Sequence, residues 1–275
     1  MPKQLAILNT TRRMTKNLIG IRAWMSCAYP ALAALLLTLS SPALADTLTV
    51  AVAANVQYVF DDLQAEFQKQ TGHKLKPVFG SSGKLTAQIM NGAPYDVLLS
   101  ADMEYPEKLY KEGFATAAPK VYAQGTLVLW TLKEIDLHNW QSMLASPIIR
   151  KIAIANPKTA PYGRETMKAL AYFQLDETLK PKLVFGESIS QTNQYIHSQT
   201  ADAGFTAKAV VVSPEMKGQG KWMDLPRDAY QPIPQGLVIL KHGQQKNPAS
   251  ARQFHDFVLS AKSRMILERY GYLLP

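Results

Sequence analysis

Val56, Phe60, Leu63 and Phe67 recur at steps of four, three and four, the stripe of an amphipathic helix. Just before them, residues 47–53 read Thr-Leu-Thr-Val-Ala-Val-Ala, a β-branched and small apolar run that suits a strand. Thr71-Gly72 stops the helix. A second strand follows over 74–79, and Pro77 within it predicts an edge or strand-start position. Leu85, Ile89 and Met90 then mark a helix ending near Asn91-Gly92, residues 96–100 a buried strand, and 105–112 a helix closed by Gly113. Short apolar strands alternating with helices predict an α/β fold, with a mostly parallel sheet covered on both faces. Ligands of such sheets sit beyond the carboxyl ends of the strands.

The second half repeats the alternation. Strands are expected at 125–131, 149–155, 183–185 and 202–206, and helices at 140–146, 164–173, 188–200 and from 207. A long apolar strand at 235–241 and one or two helices over 248–270 end the chain. The apolar runs 126–131 and 236–240 read as the places where the chain crosses between two lobes. One lobe would comprise 46–126 plus 231–275 and the other 127–230, with a hinge of two crossings. Pro226, Pro232 and Pro234 mark and stiffen the return linker.

The first 45 residues stand apart from this pattern. Lys3, Arg12, Arg13, Lys16 and Arg22 are followed by an apolar run over 31–39 and by Ser40-Ser41-Pro42-Ala43-Leu44-Ala45, with no acidic residue. A basic head, a short apolar core and an Ala-x-Ala end predict a secretory signal cleaved after Ala45, and hence a periplasmic protein. Setting it aside lowers the net charge from +9 to +4 over the remainder, which argues against a nucleic-acid partner. Cys27, the single cysteine, falls within the leader. Thiol catalysis and cysteine-ligated metals are thereby excluded from the processed chain.

The candidate chemistry lies at the strand-to-helix junctions. Gly80-Ser81-Ser82-Gly83 follows a strand and precedes a helix, so hydroxyls and free N–H groups meet at a helix N-terminus, an anion site. Alternatively Ser81 or Ser82 is only a helix cap. The same device recurs at Ala53-Ala54-Asn55, where Asn55 fits an N-cap, at Ala160-Pro161-Tyr162-Gly163 and at Ser188-Ile189. None of these positions is basic, and Lys84 is the one cation nearby. Removing water from an ion costs on the order of 20 kcal/mol in the idealised limit. A hydrogen bond to a charged group returns about 1.5–3 kcal/mol. Several junctions must therefore cooperate, and closure of two lobes would bring them together. A donor-only shell would reject a protonated phosphate. Tyr162, between Pro161 and Gly163, is expected as an exposed, held ring, the alternative being a core aromatic. Asp102 and Glu104 could form a carboxylate pair, a loop cap being the other role. The five histidines show no metal-ligand spacing, and neither a Walker A loop nor a G-x-S-x-G elbow is present.

These residues resemble the periplasmic molybdate-binding proteins of ABC importers. The resemblance rests on Ala53-Ala54-Asn55, Gly80-Ser81-Ser82-Gly83, Asn91-Gly92-Ala93-Pro94-Tyr95-Asp96, Ser100-Ala101-Asp102, Ala155-Asn156-Pro157, Ala160-Pro161-Tyr162-Gly163 and Arg269-Tyr270-Gly271-Tyr272. It implies a type 2, two-lobed periplasmic binding protein fold, molybdate or tungstate held by neutral donors, delivery to a membrane permease, and no catalysis. The residues it assigns to the oxyanion are Asn55, Ser82, Tyr162 and Ile189, with Ala54 adding a backbone N–H. They would hold the oxygen atoms, not the metal. Many members carry a tyrosine where this chain has Thr206, which leaves the oxyanion's identity more open. No cofactor is expected, and the protein is expected to be a monomer. The alternatives are a binding protein for sulfate, thiosulfate or an organic anion, and a secreted hydrolase using Ser82.

Overall fold

The computed structural model describes residues 46–275, so the leader expected over 1–45 and its cleavage site lie outside the described residues. In chain order the strands are β1 (Thr47–Ala53), β2 (Lys74–Gly80), β3 (Val97–Leu99), β4 (Lys120–Gly125), β5 (Leu127–Thr131), β6 (Ile152–Ala155), β7 (Leu183–Gly186), β8 (Ala203–Ala207), β9 (Lys221–Asp224) and β10 (Ile233–Ile239). They form two five-stranded sheets, ordered β2-β1-β3-β10-β4 and β7-β6-β8-β5-β9.

Both sheets are built alike. Three strands at one side are parallel, β2-β1-β3 in the first and β7-β6-β8 in the second. One strand of opposite direction is inserted next to them, β10 in the first and β5 in the second. Each inserted strand follows a crossing. The chain leaves the first sheet at Gly125, enters the second at Leu127, and returns between Asp224 and Ile233, so the second crossing precedes the run 236–240 expected to make it, which lies at the end of β10 in the first sheet. Two lobes joined in this way make the type 2 periplasmic binding protein arrangement.

Helices cover both faces of each sheet, which is why the central strands are apolar on both sides. On one side of the first sheet, Leu48, Val50 and Val52 pack with Phe60, Leu63 and Phe67 of the helix Gln57–Thr71 and with Phe254 of the helix Pro248–Val258. On the other side, Ala51 and Leu98 meet Leu85 and Ile89 of the helix Ser82–Met90. The stripe that began at Val56 is fully buried at all four positions. Gly72 ends that helix in the left-handed region (φ 75°), and Pro77 lies on the edge strand β2.

Four local expectations change. The strand expected at 125–131 is β5, which starts at Leu127, and it is preceded by β4, a strand of the other sheet that was not foreseen. β9 was not foreseen, since Lys221-Trp222-Met223-Asp224 is four residues long and largely exposed. The helix expected from Arg164 begins at Pro161, whose fixed φ and missing N–H suit a first turn. Asn55 is not an N-cap: it lies within a 3₁₀ turn, Ala54–Val56, that leads into the helix Gln57–Thr71 and has no side-chain capping bond.

Candidate functional site

Three chain reversals of the first lobe and two helix starts of the second enclose one small cavity. The first lobe contributes Ala53, Ala54 and Asn55 at the end of β1, Gly80, Ser81 and Ser82 at the end of β2, and Ala101 after β3. The second contributes Ala160, Pro161 and Tyr162 at the start of the helix Pro161–Tyr172, and Ile189 at the start of the helix Ile189–His197. The cavity has a volume of about 200 Å³, part of it open to solvent. The space fits one compact guest. Larger hollows lie elsewhere: one of about 1040 Å³ between Glu134–His138 and Lys221–Met223 belongs to the second lobe, and one of about 440 Å³ lies beside the cavity, between Phe79, Gly80 and Lys84 of the first lobe and Glu187 and Ser188 of the second.

The wall carries no formal charge: no lysine, arginine, aspartate, glutamate or histidine lines it. Helix starts supply its donors, because first-turn N–H groups have no carbonyl of their own helix to meet. Pro161 has no N–H, so Tyr162 presents the first amide of its helix. Ile189 holds the same place after Ser188, whose side chain caps the helix by accepting from Gln191 N. Ser82 is fully buried; its Oγ accepts from Ala101 N at 2.9 Å, so its own O–H remains to donate.

Ser81 belongs to the candidate junction but is absent from the ligand set that the resemblance implies. It stands at the N-cap position of the helix Ser82–Met90, yet its side chain makes no capping bond. Its Oγ is buried and has no hydrogen-bond partner among the described residues. A buried, unpartnered hydroxyl is costly unless a guest meets it. The serine doublet was a signal in the sequence, but the helix-cap role masked the first member.

The side chain of Asn55 is engaged within the protein. Its Nδ2 donates to Gln235 Oε1 at 2.8 Å and to Tyr272 OH at 3.0 Å, and Tyr272 OH donates back to Asn55 O at 2.9 Å. The Asn55 amide nitrogen is thus taken by Gln235 and Tyr272, while Oδ1 is buried with no hydrogen-bond partner among the described residues. Tyr162 departs from the expected exposed ring and is buried to 1 %. Its helix lies so close to β6 that a Cβ at Gly163 would collide with Ala155 O, and this approach drives the ring inward. Burial raises the Tyr162 phenol well above its ordinary pKa, so it stays a neutral donor. Thr206 does not reach the cavity; its Oγ1 donates to Asn193 Oδ1 at 2.6 Å in a fully buried pair.

Charges gather instead around the rim. Lys84 of the first lobe pairs with Glu187 of the second, both about half exposed. Arg164 of the second lobe bonds Asp102 Oδ2 and lies 3.2 Å from Glu104 Oε2 of the first. Asp102 Oδ1 also accepts from Ser100 Oγ at 3.0 Å and Tyr105 N at 3.3 Å, so it is both a loop cap and an ion-pair partner. Burial raises its carboxyl above the ordinary range, against the opposing pull of Arg164. Neutral links cross as well: Gly83 N donates to Thr159 O at 2.9 Å and Ser190 Oγ to Gln57 Oε1 at 2.5 Å.

A family model described as bacterial extracellular solute-binding protein matches residues 48–273. The molybdate-binding protein ModA of Azotobacter vinelandii is 40% identical over 235 residues, covering 85% of this chain and 92% of that protein. The molybdate-binding protein ModA of Rhodobacter capsulatus is 38% identical, covering 87% and 93%. Among solved structures, the periplasmic molybdate-binding protein of Azotobacter vinelandii superposes with a TM-score of 0.78 at 38% identity, covering 83% of this chain and 99% of that one.

Proposed function

From a chain that belongs to the bacterial extracellular solute-binding proteins, and within them to the molybdate-binding family, we infer a periplasmic protein that captures molybdate or tungstate between its lobes and delivers it to the membrane permease of an ABC importer. It binds and releases its cargo and performs no chemistry on it. Asn55, Ala54, Tyr162 and Ile189 act through backbone N–H groups, and Ser82 through its hydroxyl, with Ser81 added to the set.

The observation that supports this most is the uncharged wall: hydroxyls and helix starts from both lobes converge on one small cavity with no ionised side chain. A dianion there is stabilised by many fixed dipoles, each a charge-assisted hydrogen bond. With no carboxylate in the wall, an oxyanion that carries a proton meets no charged acceptor. The lack of a histidine in the wall removes the general base that a hydrolase built on Ser82 would need.

Calorimetric titration with molybdate, tungstate, sulfate and phosphate tests the reading. Tight binding of the first two alone is expected. Preference for sulfate would overturn the choice of cargo, and binding of none would overturn the function.

A further inference from the structure

Five segments line the cavity, and each has a residue, one or two positions beyond its wall residue, that bonds the opposite lobe. Gly83 follows Ser82, and its N–H donates to Thr159 O at 2.9 Å. Arg164 follows Tyr162 by two and bonds Oδ2 of Asp102, the neighbour of Ala101. Ser190 follows Ile189, and its Oγ donates to Oε1 of Gln57, two residues after Asn55, at 2.5 Å. The Gly83 amide belongs to the first turn of the helix Ser82–Met90, where N–H groups lack a carbonyl of their own helix. It is the kind of donor that the cavity offers a guest, yet here it is spent on the other lobe.

The seam between Gly83 and Arg164 is tightly fitted. Tyr105 fills it: its hydroxyl donates to Lys158 O at 3.4 Å and accepts from Arg164 Nη1 at 3.4 Å, and the guanidinium lies 5.4 Å from the centre of its ring. A Cβ at Gly83 would come within 2.6 Å of the Tyr105 hydroxyl and 3.0 Å of Thr159 O. The φ of Gly83 is not in the left-handed region, so glycine is required here for space and not for conformation. The Thr159 side is held in turn, since Asn156 O accepts from Thr159 N at 3.1 Å and Ala160 N at 2.9 Å. The side chains of Asp102 and Arg164 are 11 % and 26 % exposed, against 50 % and 57 % for Lys84 and Glu187, so water screens the former pair far less.

We propose that Gly83 and Arg164 are positioning residues of the oxyanion site: through Thr159, Tyr105 and Asp102 they tie the Ser82 and Tyr162 turns to each other across the cleft, and this seam sets how long the guest is held. Asn55, Ser82, Tyr162 and Ile189 are each exposed by 3 % or less, so a guest bound among them leaves only when the lobes part. Parting breaks the Gly83–Thr159 and Arg164–Asp102 bonds in the same movement, because each lies within a few residues of the wall. Neither residue lines the cavity, so both act on release and not on recognition. The proposal rests on the oxyanion reading above and deepens it.

Release of radiolabelled molybdate from the full-length protein, chased with excess unlabelled molybdate, tests it, with association followed by rapid mixing and filtration. Arg164→Gln should speed release by about 10- to 100-fold, the loss of hydrogen bonds to a charged group, and change association by about threefold or less. Arg164→Lys, which keeps the charge, should restore part of the loss. Gly83→Ala should speed release by about tenfold or more, the scale of an overpacked contact. Its ligand-free melting temperature should not fall, because alanine suits the helix better than glycine and the clash is relieved when the lobes part. Release within threefold of the wild type in Arg164→Gln, or slower association with unchanged release, would overturn the proposal. A melting temperature that falls in Gly83→Ala while release is unchanged would also overturn it. If Gly83→Ala does not fold, the two Arg164 variants decide alone. A wild type that prefers sulfate sinks the cargo reading and leaves the release experiment to be run with labelled sulfate; a wild type that binds no oxyanion sinks both.

Discussion

Ser82 and Lys84 stand two residues apart on one helix, yet they serve regions of opposite character. Ser82 belongs to a buried wall with no formal charge. Lys84 belongs to a rim where it meets Glu187, and where Arg164 meets Asp102 and Glu104. The difference follows from hydration. A guest in the wall loses its water, and an ionised side chain buried beside it would first have to lose its own. Neutral N–H and O–H groups avoid that second cost. On the rim Lys84 and Glu187 keep their water, whereas Asp102 and Arg164 are largely buried and compensate each other, and each pair spans the two lobes. An exposed pair such as Lys84–Glu187 is worth little individually; none of these charged residues lines the cavity.

The sharpest way to break this contrast is to put charge into the wall. Ser82→Asp should abolish oxyanion binding in calorimetry, because a buried carboxylate would face a dianion without screening. If binding survived, the guest would lie elsewhere. Removing single donors should cost less. Ser82→Ala and Ser81→Ala should each weaken binding by about 10- to 100-fold, the loss of one hydrogen bond to a charged group. An effect at Ser82 alone would assign Ser81 to the helix cap.

On the rim, Lys84→Ala should change affinity by about fivefold or less, and the change should shrink between 0.01 and about 0.5 M salt as screening grows. A salt-independent loss would place Lys84 against the guest. Asp102 gives the smallest effect and a pH signature. Its folded pKa is raised, so its contribution favours the fold below the unfolded value near 3.8 and is lost as pH rises through the folded value. Asp102→Asn should therefore not lower the ligand-free melting temperature at pH 7, and any gain should vanish as the pH approaches 3.8. A large loss at pH 7 would mean that the bond to Arg164 outweighs the burial of the carboxylate.

The strands and helices were legible wherever the pattern was local. The stripe from Val56 to Phe67, the stop at Gly72 and the edge position of Pro77 each depend on a few neighbouring residues, so the sequence alone determined them. The junctions were legible for the same reason: Ala54, Asn55, Ser82, Tyr162 and Ile189 all sit within a turn of a strand-to-helix boundary. The change of sheet at Thr126 was not, because β4 (Lys120–Gly125) runs to within one residue of β5 with no turn signal between them, and only their partners in three dimensions separate them. Only the tertiary structure decided that the Tyr162 ring is buried, that Ser81 Oγ lacks a partner, and that the Asn55 carboxamide is held by Gln235 and Tyr272, 180 and 217 residues away. A hydrogen bond between such distant positions leaves no periodicity in the chain; it exists because closure of the sheets brings the partners within 3 Å and removes the water that would otherwise satisfy them.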